Sequence, residues 1–122
     1  MKVKCISIPG IQNDTVSSPW IKAGNEYVVL SIYENSQGEK YYRIAPHADG
    51  GSESLGLFLS HAFEVVDDAW PPTWVQETVN GDISIAPKAW QRLGFWEEFY
   101  DGDRQAEDVY KEEKDKILKY EN

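Results

Sequence analysis

Cysteine and histidine are nearly absent: one Cys and two His in 122 residues. Cys5 alone cannot form an intrachain disulfide, and no Cys-rich zinc site is available. It sits in a strand-like run between Lys4 and Ile6, where a free cysteine behaves as a small buried hydrophobe. A catalytic thiol would need a basic partner, and only His47 and His61 are available. No long apolar run exists, so no membrane-spanning helix is expected. Met1 to Lys4 lead into no apolar stretch, and Pro9-Gly10 interrupts early. No secretory signal is therefore expected, and the cytoplasm is the expected location. Positive charge is also scarce. Twelve bases stand against 21 acids, a net charge of −9. A surface so poor in bases argues against nucleic acid as a partner and for a basic protein.

Aromatic residues are abundant by contrast, with five Trp and seven Tyr. A small core can rest mainly on them. The acids are uneven: residues 97–122 hold ten acids and five bases, and so carry −5 of the net charge.

Residues 2–8 alternate polar and apolar, as a half-buried strand does. The run 26–33 (Glu-Tyr-Val-Val-Leu-Ser-Ile-Tyr) has the strongest strand character in the chain. Asn35-Ser36-Gln37-Gly38 reads as a hairpin turn into a strand at 40–45. Short strands follow at 57–59 and 63–66, with a tight turn at 60–62. Five short strands joined by turns predict a small closed barrel. A single helical turn before the last strand is a mark of SH3-like barrels. With Cys5, Ala23-Gly24-Asn25-Glu26-Tyr27-Val28-Val29, Tyr41-Tyr42-Arg43-Ile44 and Phe63-Glu64-Val65-Val66, the first half resembles small SH3-like domains of unknown function from bacteria and phage. That resemblance implies a fold and no activity. The fold class expected is α+β: a five-stranded SH3-like barrel over 1–67, then a linker and helical extension over 68–122 packed on it.

Pro71-Pro72 interrupts regular structure between Trp70 and Trp74. The flanking Trp pair suggests that this linker packs onto the barrel. The run 74–79 reads as a strand leaving the barrel, Asn80-Gly81-Asp82 as a turn and 83–85 as extended. Pro87 opens an expected helix over 87–93, which ends at Gly94. A second short helix covers 95–100, and Asp103 caps a final helix over 104–119. Ala106, Val109, Tyr110, Ile117 and Tyr120 share one face of that helix. Glu113 falls within this face, so the last turns are expected to project into solvent. Glu107–Lys111, Glu112–Lys116 and Asp115–Lys119 have the spacing of helical ion pairs.

No stretch carries a catalytic signature. The loop 46–56 holds His47, Asp49, Glu53 and two serines, but lacks the context of a hydrolase elbow or a phosphate loop. Glu97, Glu98, Asp101 and Asp103 surround Gly102 without the spacing of a calcium loop. Neither a metal nor a cofactor is expected. Strand alternation sends Tyr41 and Tyr42 to opposite faces, which weakens an aromatic peptide groove built from Tyr27, Tyr33, Tyr41, Tyr42, Trp70 and Trp74. The reading that remains is a non-enzymatic acidic module that binds a basic protein. By size and charge it resembles immunity proteins that neutralise basic toxins, or a small phage accessory protein. Glu97, Glu98, Asp101, Asp103, Glu107 and Asp108 would supply charge complementarity, and Trp96 affinity. The rival classes are a ligand-binding barrel or enzyme using loop 46–56, and a structural subunit of a larger assembly.

Overall fold

The structure is a computed structural model and describes residues 1–6, 23–45 and 55–121. Among the described residues eight strands form: β1 (Lys2–Cys5), β2 (Glu26–Val28), β3 (Ser31–Glu34), β4 (Lys40–Ile44), β5 (Gly56–Leu59), β6 (Phe63–Asp67), β7 (Trp74–Val79) and β8 (Asp82–Pro87). Two helices follow, α1 (Phe95–Tyr100) and α2 (Arg104–Glu121). Short 3-10 turns occupy Ser60–Ala62 and Lys88–Trp90.

The expected closed five-stranded barrel is not what forms. The strands make two antiparallel sheets, a three-stranded one in the order β2-β1-β6 and a five-stranded one in the order β5-β4-β3-β8-β7. The reason lies in the run read as one strand over 26–33. It splits at Val29-Leu30, both buried and neither in a strand. The Val29 N–H donates to the Met1 carbonyl, on the side of the small sheet, while the Leu30 N–H donates to the Arg43 carbonyl in β4. Each of the two residues is thus bonded to a different sheet, and the chain steps between layers there. A β-branched run records the strand character on either side and carries no mark of the step.

The strand expected to leave the barrel does the reverse. β7 pairs with β8 along its length, and β8 pairs with β3. The turn between β7 and β8 is Asn80-Gly81, and both residues have positive φ (52° and 87°). Two left-handed residues match the twist of a tight hairpin, which is why an Asn-Gly pair sits there. Asp82 then ties the two hairpins together. Its carboxylate accepts from the Tyr33 hydroxyl at 2.8 Å and the Ser36 N–H at 3.1 Å.

The expected helix over 87–93 shrinks to the single turn Lys88–Trp90. Pro87 is extended (φ −54°, ψ 141°) and ends β8 opposite Trp74. A proline fits either a helix start or a strand end that needs no N–H, and here the strand takes it. Of the Trp70–Trp74 linker, Trp70 and Pro72 are exposed. Trp74 and Pro71 are buried, and the two indoles lie 5.9 Å apart.

One face of the five-stranded sheet carries Ile32, Tyr42, Ile44, Trp74 and Ile85 into the core. The opposite face carries Ser31, Tyr33, Arg43, Leu57, Glu77, Ser84 and Ala86. The aromatic cluster Trp90, Phe95, Trp96, Phe99 and Tyr110 joins the 3-10 turn to both helices.

α2 is capped as expected: the Asp103 carboxylate accepts from the Ala106 N–H at 2.9 Å. Its last turns do not project into solvent. Ile117 is fully buried, and the Glu121 carboxylate pairs with the N-terminal ammonium of Met1. The buried face runs through Ala106, Tyr110, Lys114 and Ile117, while Tyr120 is exposed. Lys114 replaces Tyr120 on that face by lying along Tyr110, its ammonium 5.4 Å from the ring centre. Glu113 bonds to Lys116 at 3.1 Å. Of the three helical pairs expected, Glu112–Lys116 forms, at 3.8 Å. Among the described residues no helix is long and apolar enough to cross a membrane.

Candidate functional site

A groove of about 380 Å³ runs between the outer face of the five-stranded sheet and the segment joining β8 to α1. Tyr33, Arg43 and Leu57 come from the sheet, Val79 from the β7 end, and Leu93 and Trp96 from the joining segment and α1. Leu93 is 99% exposed and Val79 63% exposed; Leu57 is exposed as well. These three exposed aliphatic side chains line the groove at separate places: Leu57 on the β5 edge of the sheet, Val79 on the opposite β7 edge, and Leu93 on the joining segment.

The Leu93 tip is braced on both sides. Gly94 turns with φ 83°, a conformation that disfavours any other residue. Arg92 makes two bonds to the Glu98 carboxylate, at 2.9 and 2.8 Å. That pairing lowers the Glu98 pKa and raises that of Arg92. Gln91 donates to the Val75 and Ala86 carbonyls at 2.8 and 3.0 Å, anchoring the tip to the sheet. Leu93 is therefore presented on a fixed turn.

Arg43 forms part of the groove wall. Its guanidinium lies 3.8 Å from the centre of the Trp96 ring, and its Nε donates to Ser31 Oγ at 3.2 Å. Among the described residues no carboxylate pairs with it. Burial pushes its pKa down, while the nearby Tyr100 and Tyr110 phenols act in the opposite direction. The indole face, the Ser31 hydroxyl and the Tyr100 hydroxyl together offset part of the cost of burying the guanidinium.

The acids singled out from the sequence divide into working groups. Glu97 is exposed and lines the groove. Glu98 is committed to Arg92, and Asp103 to the α2 cap. Asp101 and Asp108 are exposed and Glu107 half-exposed, at the corner between α1 and α2. Trp96 is half-buried beneath its contact with Arg43 rather than freely exposed. Among the described residues no three of His, Cys, Asp and Glu gather as a metal site would require. Cys5 is buried, and burial raises its pKa. Of loop 46–56, residues 46–54 with His47 and Asp49 lie outside the described residues. Tyr42 belongs to the core, edge-on to Phe63 at 5.9 Å, and Tyr33 and Tyr41 are half-buried 6.1 Å apart. The aromatic set considered from the sequence therefore does not line one groove.

Sequence reasoning missed Arg43, Val79 and Leu93. Leu93 carried no signal of exposure, because with Ala89 and Trp90 it has the spacing of an apolar stripe on the helix expected over 87–93. Arg43 and Val79 reach the groove only through long-range strand pairing. Comparison with family models, with curated proteins and with solved structures returns no match.

The buried phenols of the cluster give a pH prediction. Burial raises the pKa of Tyr42 and, more strongly, of Tyr110, above the ordinary 10.0. The folded protein then keeps protons that the unfolded chain releases. Stability is full below pH 10 and falls as pH rises further. Urea midpoints measured from pH 8 to 11.5 should decline above pH 10, and Tyr110→Phe should flatten that decline. An equal decline in both proteins would exclude Tyr110 as a source.

Proposed function

We propose that the chain is a cytoplasmic, non-enzymatic module that binds a basic protein, with the groove at Leu93 as its apolar contact and the α1–α2 corner as its charged rim. The braced, wholly exposed Leu93, at a groove that Val79 and Leu57 also line, carries the proposal. An open groove with an exposed leucine held on a fixed turn is a surface that a partner can cover. Glu97 at the groove, with Asp101, Glu107 and Asp108 along the adjoining corner, supplies negative charge for steering. The net charge of −9 extends the proposal to an immunity-type inhibitor of a basic toxin.

Panning a phage-displayed random peptide library on the immobilised protein tests this. Sequences mixing Lys or Arg with aliphatic residues should enrich. The triple change Leu57→Ser, Val79→Ser and Leu93→Ser should abolish the enrichment. Charge reversal is best limited to Glu97, Asp101, Glu107 and Asp108, because Glu98 and Asp103 hold the fold. That variant should select acidic peptides instead. If the wild type enriches nothing, or all three proteins enrich the same sequences, the proposal fails.

A further inference from the structure

β7 is an edge strand: β8 pairs with one side of it, and among the described residues no strand pairs with the other. The hairpin fixes which of its backbone groups are free. Val79 and Asp82 face each other across the two-residue turn, so they exchange hydrogen bonds. By alternation Val79, Glu77 and Val75 direct their N–H and C=O groups at β8, and Gln76 and Thr78 direct theirs outward. The far end agrees. Trp74 lies opposite Pro87, which has no N–H to give, and the Trp74 N–H turns instead to the Pro71 carbonyl at 3.1 Å.

Edge strands are commonly protected by Lys, Pro, a bulge or a covering segment. β7 reads Trp-Val-Gln-Glu-Thr-Val, with a single charge at Glu77, no Lys or Pro, and a continuous register against β8. Its side chains on the groove side are Val75, Glu77 and Val79, so the open edge and the apolar groove adjoin. We infer that β7 accepts an extended segment of a basic partner as a sixth, antiparallel strand of the sheet. The inference rests on the protein-binding reading above and specifies how the partner is held.

The occupant follows from the register. On the groove side the added strand meets Val75, Glu77 and Val79, so it should carry aliphatic, basic and aliphatic residues at alternate positions. On the other side it meets Gln76 and Thr78, which suit polar residues. A second copy of this chain is a poor occupant. Two bodies of charge −9 repel. Centred self-pairing would also set Glu77 against Glu77, while its ion-pair partner Lys88, 3.7 Å away, is largely solvated. A basic segment replaces that exposed pair at little cost.

The probe is the peptide acetyl-Lys-Val-Thr-Lys-Thr-Val-Lys-amide, titrated into the full chain and followed by amide NMR. Shifts should centre on Gln76 and Thr78, and both amides should gain protection from hydrogen exchange. N-methylation of either peptide Thr blocks a bond to β7 and should weaken binding roughly tenfold. N-methylation of either Val, whose N–H faces away from β7, should change it about twofold or less. Replacing the central Lys by Glu should also weaken binding. Binding with no such alternation, or with shifts away from β7, overturns strand addition and leaves the protein-binding reading standing. No binding at millimolar peptide also overturns strand addition, and the library result decides the broader reading separately.

Discussion

Trp90→Ala should remove roughly 3–5 kcal/mol of stability, comparable with the whole stability of many domains this size. Trp90 is 1% exposed. Its indole stacks on Tyr110 at 5.4 Å and meets Trp96 edge-on at 5.5 Å, so it is the common neighbour of the 3-10 turn, α1 and α2. Truncation opens a cavity walled by rigid rings, which collapse poorly. The chemistry of the indole sharpens the expectation. Its Nε1 is buried with no hydrogen-bond partner among the described residues. Trp90→Phe removes that unpaired donor along with some volume, so the two changes offset and the loss should be less than half that of Ala. Leu93→Ser, three residues on, should stay within about 0.5 kcal/mol of wild type, because the side chain buries nothing. Urea denaturation of the three variants, followed by circular dichroism, gives the ranking. A loss under 1 kcal/mol for Trp90→Ala would mean that the cluster does not hold the helices to the sheet.

That contrast between Trp90 and Leu93 also marks what the sequence made legible. The hairpin turns, the helix 95–100, the Asp103 cap and the Ala106, Tyr110 and Ile117 positions of the α2 face could all be read from residues within a few positions of one another. Each is local chemistry: a glycine with positive φ, a carboxylate at a helix start, a repeat of 3.6. The sheet order was not legible, because pairing β8 with β3 joins residues about fifty positions apart. The same limit hid the groove. Its walls come from β3, β4, β5, β7, β8 and α1, and it exists only once β7 and β8 extend the sheet. Of the acids chosen from charge density, Glu98 and Asp103 proved to be structural. A run of like charge does not reveal which members already have partners.

The step between the sheets offers the second large effect. Leu30→Ala should cost roughly 2–5 kcal/mol. Leu30 is 2% exposed and lies at the crossing, where the chain leaves β2 for β3. Its N–H is bound to β4, while that of Val29 is bound at Met1 beside the small sheet. Both side chains are buried in the core at this crossing, so truncating one removes packing where the chain passes from one sheet to the other. Val28→Ala, one position before the crossing and half-buried, should cost clearly less. If the two sheets formed one continuous barrel ladder, Val28, Val29 and Leu30 would alternate in and out, and the cost of truncation would alternate with them. Two open sheets predict another profile: adjacent high costs at Val29 and Leu30, flanked by lower ones. An alanine scan of 26–33 by thermal unfolding distinguishes these profiles, and a strictly alternating one would overturn the two-sheet description.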